Sequence, residues 1–218
     1  MRKDKGTMEK KAIIFDMDGV LLDSEPIHEQ SRQIMFQELN IVLDDTFPDP
    51  IGKSACDFWN LILERLHLPG TGREKEEQHY RLISKLIQEN HVKESEGLIE
   101  VLEWAKKKGM KIGLASSSSR FLVEDVLRIL KLEPYFDLAV AGDEVTVKKP
   151  SPEIYQKVLD AFGISGDEAV AVEDSSSGVT AAKAAGIYCF GYVNPTSGDQ
   201  DLSAADCRIT KLREIITA

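Results

Sequence analysis

The stretch Ala12-Ile13-Ile14-Phe15-Asp16-Met17-Asp18-Gly19 sets four apolar residues directly before two carboxylates one residue apart. A short apolar run bounded by polar residues reads as a strand. In parallel sheets ligands bind outside the carboxyl ends of the strands, so Asp16 and Asp18 stand where chemistry is expected. From about residue 97 onward similar runs alternate with helical stretches. Strands are expected at Lys111–Ala115, Leu138–Ala141, Ala169–Val172 and Ile187–Val193, with helices at Leu98–Lys108, Arg120–Leu130, Pro152–Phe162 and Ser177–Ala185. Repeated β-α units predict an α/β fold with a doubly wound, mostly parallel sheet. Gly109 and Gly186 fall where helix C-terminal glycines belong, and Ser151-Pro152 reads as an N-cap followed by proline at the first helical position.

Between the first and second strands lie about 90 residues with no convincing strand. Apolar residues at three- and four-residue steps predict helices over Glu25–Leu39, Lys53–Leu66 and Arg73–Glu89 instead. Asp49-Pro50, Leu68-Pro69-Gly70 and Gly72 separate them. A structureless crossover of that length is improbable, so residues 24–94 are expected to form an inserted helical domain leaning on a core of 11–23 and 95–218. Hinges would fall near Leu22–Glu25 and Lys93–Gly97. Residues 1–10 read as a disordered leader, with Met8 an alternative start.

The composition of the 218-residue chain, 42% hydrophobic and 29% charged, is that of a globular protein. Its 27 Lys+Arg against 37 Asp+Glu give −10, and residues 1–11 are +3, so residues 12–218 carry −13. That balance repels nucleic acid and anionic membranes. No apolar run reaches membrane-spanning length or follows Met1–Lys11 as in a signal peptide. Cys56, Cys189 and Cys207 have no metal or redox spacing and read as buried thiols in a reducing, cytoplasmic setting.

Three further polar strand endings match the first: Ser116 after strand two, Lys149-Pro150 between strands three and four, and Glu173-Asp174 after strand four. Singly, each is ordinary: a cap, a solvated charge, a loop. A calcium loop at Asp16-x-Asp18-Gly19 would continue with an acidic or amide ligand where Val20 stands. Their coincidence at strand ends is harder to dismiss.

The ordered set Asp16-x-Asp18-Gly19, Ser116, Lys149-Pro150, Glu173-Asp174-Ser175 resembles the haloacid dehalogenase-like (HAD) hydrolase superfamily across residues 11–217. Asp16-Met17-Asp18-Gly19-Val20-Leu21-Leu22-Asp23-Ser24-Glu25-Pro26 and Val172-Glu173-Asp174-Ser175 resemble its β-phosphoglucomutase-like branch. The resemblance implies a Rossmann-like core with an α-helical cap between the first two motifs. It also implies a Mg²⁺-dependent phosphatase of a small phosphorylated metabolite, such as a sugar phosphate, with no nucleic-acid or membrane partner, as a monomer or weak homodimer. Metal ligands would be the Asp16 carboxylate, the Asp18 backbone carbonyl and Asp174, with Glu173 in or beside the shell.

Asp16 would attack phosphorus to form an aspartyl-phosphate, and Asp18 would act as acid and then base, which calls for a raised pKa. Ser116, with Ser117 beside it, and Lys149 would contact the phosphoryl oxygens. Four carboxylates carry −4; Mg²⁺ and Lys149 leave −1, and protonating Asp18 leaves zero, so a divalent hard cation is required. The dehalogenases of the superfamily lack a second aspartate where Asp18 stands, which points to phosphoryl transfer.

His28 sits where the mutase-like branch often places a cap histidine that couples closure to Asp18. Lys53, in Gly52-Lys53-Ser54, could contact a substrate anion, but Phe47 rules out a Walker motif. The mutase pattern calls for arginine three residues after a glycine like Gly52; here that residue is Ala55, and Lys53 could replace it only as a point charge. A phosphomutase is therefore the second reading, and a catalytically silent binding protein the third. Met17, Met35, Phe58 and Trp59 read as packing, His67, His79 and His91 as surface residues, and Glu74–Glu77 as a solvated helix face.

Overall fold

A computed structural model describes residues 10–42, 47 and 54–218. Residues 1–9, the breaker Asp49-Pro50 and the candidate Lys53 lie outside the described residues. The elements in chain order are β1 (Ala12–Phe15), α1 (Glu25–Glu38), α2 (Ala55–Arg65), α3 (Gly72–Glu89), α4 (Leu98–Lys107), β2 (Lys111–Ala115), α5 (Arg120–Ile129), β3 (Leu138–Val140), α6 (Glu153–Phe162), β4 (Ala169–Glu173), α7 (Ser176–Ala184), β5 (Tyr188–Tyr192) and β6 (Cys207–Ile209). All the strands are parallel, in the order β3-β2-β1-β4-β5-β6. This is the doubly wound Rossmann-like arrangement, whose order reverses between β1 and β4.

Strand periodicity divides the core. Ile13 and Phe15 point to one face with Leu98, Val101, Leu102, Leu122 and Val126 of α4 and α5; Ala12 and Ile14 point to the other with Val158, Leu159 and Val179 of α6 and α7. In register, Ile14 pairs Gly113 on β2 and Ala171 on β4, so β1 is central and its side chains are fully buried.

Helices α1, α2 and α3 build their own cluster with Met35, Ile41, Phe58, Trp59 and Ile62. Their apolar surface also runs into the main core through Ile27, Tyr80, Ile83, Leu86 and Ile87. Polar contacts join the two regions: the Ser84 hydroxyl donates to Asp125 on α5 at 2.5 Å, and Lys148 pairs with Glu76 on α3 at 3.5 Å. Glu76 is therefore a half-buried partner of Lys148, unlike the solvated face expected of Glu74–Glu77, because α3 lies against the 145–149 loop.

Gly109 and Gly186 follow their helices with φ of 73° and 76°, the left-handed conformation that ends a helix with least strain in glycine. The helix expected to begin at Pro152 begins at Glu153, yet the Ser151 hydroxyl still accepts from the Glu153 N–H at 3.4 Å. β6 was not expected from sequence; Cys-Arg-Ile is too short to carry a periodic signal and is a strand because β5 pairs with it. Of the three thiols only Cys189, on the inner strand β5, is buried; Cys56 opens α2 and Cys207 lies on the edge strand, so both are half-exposed.

Because Ile14 packs at the sheet centre with no exposed surface, Ile14→Ala is expected to cost about 3 kcal/mol. Urea unfolding should show a lower midpoint at unchanged m-value.

Candidate active site

The crevice at the strand-order reversal is where Asp16, directly after β1, meets Glu173, the last residue of β4, and Asp174. The Asp16 N–H donates to the Val172 carbonyl at 3.0 Å, so the sheet ladder itself fixes the offset between these carboxylates. Two glycines make room for them. A Cβ on Gly19 would lie 1.9 Å from Asp174 Oδ2, and one on Gly178, in the first turn of α7, would lie 2.0 Å from Glu173 Oε2.

Carboxylate oxygens of Asp16, Glu173 and Asp174 lie within 4.8 Å of one another, all three residues being buried. Lys149 reaches among them and commits its whole ammonium group. It donates to Asp16 Oδ1 at 2.6 Å, Glu173 Oε1 at 2.6 Å and the Ala115 carbonyl at 2.8 Å. The Tyr155 hydroxyl donates to Glu173 Oε1 from below at 2.5 Å. Burial alone would discharge the ammonium, but Asp16 and Glu173 outweigh it and hold the Lys149 pKa above its ordinary value.

One cation does not balance three carboxylates. Burial lifts the Asp16 carboxyl well above the usual range; Lys149 pulls it down, while Glu173, Asp174 and Asp18 push it up. Burial likewise raises Asp174 to about 7, although the Ser197 hydroxyl donates to it and Glu173 adds a further push upward. A buried, oxygen-only donor set with excess negative charge fits a hard divalent cation.

The Asp18 side chain turns away from this cluster. Ser24 donates to Oδ1 at 2.8 Å, His28 Nε2 lies 3.2 Å from the same oxygen, and Ser118 donates to Oδ2 at 2.8 Å. Burial pushes its pKa up, but hydrogen bonds from His28, Ser24 and Ser118 prevail, and the carboxyl sits below its ordinary value. The raised pKa expected from sequence is thus not found, because three donors from two parts of the chain stabilise the charged form.

A cavity of about 200 Å³ joins these groups to the helices above. Asp16, Asp18, Ser117, Ser118, Lys149 and Asp174 line the sheet side; Glu25, His28, Arg32, Phe58, His79 and Tyr80 line the helical side. Ser116 is not on the wall: it is fully buried, and its hydroxyl accepts the Ser118 N–H at 3.1 Å, shaping the loop that carries Ser117 and Ser118. Asp16, Asp18, Lys149, Glu173, Asp174 and His28 are thus brought to one centre, whereas Lys53 lies outside the described residues.

His79, expected at the surface, is 3% exposed. It packs edge-on against His28 at 5.5 Å and Trp59 at 6.1 Å and stacks on Tyr80. Burial, with His28 nearby, lowers its pKa to about 3, so it is a neutral aromatic wall. No metal spacing marks it, and only the apolar face of α3 could have betrayed it. His67 and His91 are exposed as expected. Ser118 and Tyr155 were also missed: the first lies in a serine run that looked featureless, and the second is one of the apolar residues of α6. Ser24 was visible inside the Asp23-Ser24-Glu25-Pro26 stretch without a role.

The order-reversing parallel sheet with carboxylates and a lysine at its switch point defines a Rossmann-like α/β protein with its active centre at the strand ends. Residues 13–192 match the family model for haloacid dehalogenase-like hydrolase, and the chain belongs to that hydrolase family. It is 35% identical over 213 residues to the phosphorylated carbohydrates phosphatase of Thermotoga maritima, covering 94% of this chain and 96% of that one. Hexitol phosphatase B of Escherichia coli K12 is 29% identical, covering 94% and 93%. The structure of CbbY from Rhodobacter sphaeroides in complex with phosphate superposes with a TM-score of 0.82 at 25% identity, covering 94% and 96%.

Raised carboxyl pKa values have a consequence for stability. Asp174, at about 7 in the fold and about 3.9 unfolded, favours folding below the unfolded value and loses that contribution as pH rises toward 7. Asp16 acts in the same direction. The chelator-treated protein should therefore melt at lower temperature at pH 8 than at pH 5, and a divalent cation should restore several degrees at pH 8 and fewer at pH 5; differential scanning calorimetry reads both.

Proposed function

We propose that this hydrolase is a Mg²⁺-dependent phosphatase of small phosphorylated carbohydrates, working through an aspartyl-phosphate on Asp16. The observation that carries this reading is the Asp16 carboxylate paired with Lys149 and clustered with Glu173 and Asp174, with Asp18 held separately by three donors. The names of the relatives in Thermotoga and Escherichia coli support the substrate class. Mg²⁺ would be held by Asp16 and Asp174, with Glu173 beside it and the Asp18 carbonyl as the resemblance implies, and would supply positive charge against the phosphoryl oxygens.

An Asp16 oxygen attacks phosphorus while the bond to the leaving oxygen breaks. Lys149, Ser117 and Ser118 face the transferring group from the cavity wall. A cation about 4 Å from an anion is worth about 4 kcal/mol at an effective dielectric near 20, so Lys149 alone is not enough for a phosphate monoester. Asp18 protonates the leaving oxygen; the proton can arrive with the ester itself, whose second ionisation lies near pH 6. Asp18 then takes a proton from water, whose oxygen attacks phosphorus and releases phosphate and the free Asp16 carboxylate. The lowered pKa of Asp18 suits this second half, since the group must be a carboxylate to accept a proton.

The three-helix segment of residues 24–94 serves in this reading as a cap that closes over the site and excludes water. His28 on α1 then links cap position to Asp18 directly, at 3.2 Å. Where the mutase pattern calls for arginine, Ala55 lines the cavity, so the phosphatase reading is preferred to the mutase.

Asp16→Asn should lower phosphate release at least about 1000-fold, as expected for removal of a covalent nucleophile, with an unchanged circular dichroism spectrum. A panel of phosphorylated carbohydrates assayed with and without Mg²⁺ provides the measurement; undiminished turnover by the variant would overturn the mechanism. Glucose 1-phosphate with a bisphosphate activator should yield inorganic phosphate, not an isomer.

A further inference from the structure

Arg32 on α1 is a buried cation in the cavity wall that the proposed chemistry does not use. Its side chain is 6% exposed. Nη2 donates to Glu25 Oε1 at 2.7 Å and to Glu29 Oε2 at 2.9 Å, and Nε donates to Glu29 Oε2 at 3.1 Å. Three of the five guanidinium donors thus fix its plane. None of the described residues accepts from Nη1, and none donates to Glu25 Oε2. Arg32 and Glu25 both line the cavity on the side opposite Asp16. They face it as a fixed pair whose Nη1 and Oε2 are unclaimed among the described residues.

Charge decides what such a pair takes. Arg32 is matched by two carboxylates, and Lys148, the other cation on this side among the described residues, is matched by Glu76. Among the described residues, a second phosphate there would meet a locally negative surface. Uncharged hydroxyls would not, since each can donate to a carboxylate and accept from a guanidinium. Buried polar groups that lose their partners also reject substrates lacking the matching hydroxyl more strongly than apolar pockets reject a wrong shape.

We propose that Arg32, oriented by Glu25 and Glu29, is a specificity-determining residue that with Glu25 reads the hydroxyl groups of the substrate's unphosphorylated end, favouring polyol monophosphates over bisphosphates. This rests on the phosphatase reading and refines its substrate class.

The probes are a hexitol 6-phosphate, fructose 1,6-bisphosphate and p-nitrophenyl phosphate, which has no hydroxyls to read. In the wild type, kcat/KM for the hexitol monophosphate should exceed that for the bisphosphate about tenfold or more, the scale of one or two hydrogen bonds. In Arg32→Met the ratio of kcat/KM for hexitol phosphate over p-nitrophenyl phosphate should fall at least about tenfold, mainly through KM. Because Arg32 is buried, Arg32→Lys and Glu25→Gln accompany it; each should lower the same ratio while keeping a group of similar size. A ratio within about twofold of wild type in all folded variants, or a wild-type preference for the bisphosphate, overturns the proposal. Failure of the wild type to release phosphate from any of the three probes would instead overturn the phosphatase reading beneath it.

Discussion

The site depends on one buried ammonium group shared between carboxylates from two strands. Lys149 binds Asp16 at the end of β1 and Glu173 at the end of β4, and ties both to the Ala115 carbonyl at the end of β2. A buried pair of this kind is costly to assemble and more costly to break, because removing one partner strands a charge away from water. Tyr155 donates to the same Glu173 oxygen and Gly178 leaves space for its carboxylate. The sheet, α6 and the start of α7 are thereby locked around one charge cluster.

That cluster remains short of positive charge, and the deficit is what makes it chemically useful. Burial first, and the neighbouring carboxylates after it, raise the Asp16 and Asp174 pKa values. A divalent cation would relieve the deficit, which would let a chain of net charge −10 accept an anionic ester beside the carboxylates. Asp18 is insulated from the strain by donors of its own. Two aspartates one residue apart in sequence therefore have opposite shifts: burial among like charges raises Asp16, which needs a cation beside it to attack as a carboxylate, while its own donors keep Asp18 charged and able to accept a proton.

Much of this was legible in the sequence because it is local. Apolar runs marked β1, β2 and β4, and their polar endings marked Asp16, Asp18, Glu173 and Asp174, since a residue at the end of a parallel strand lies at the crevice whatever the rest of the fold does; Lys149, on the loop between β3 and α6, stood out through the ordered set. Three-residue β6 carried no periodic signal and exists through its pairing with β5. The environment of Asp18 was visible only in part: the resemblance pointed to His28 beside it, but the donor Ser118 lies a hundred residues away and carried no signal. His79 and Glu76 were misread for a related reason, since a helical wheel shows which face of α3 is apolar but not that α1 and α2 will cover His79 or that the loop carrying Lys148 will reach Glu76. Arg32 belongs to no motif, and its burial follows only from where α1 places Glu25 and Glu29 around it.

The most direct test of the account is chemical trapping of the phosphorylated side chain. Turnover of a radiolabelled sugar phosphate, quenched with borohydride and followed by peptide mapping, should reveal reduction at residue 16 alone, since an acyl phosphate is reduced where an ester or phosphoramidate is not. Label on a serine or histidine, or turnover that leaves residue 16 unreduced, would contradict a mechanism built on the Asp16–Lys149 pair.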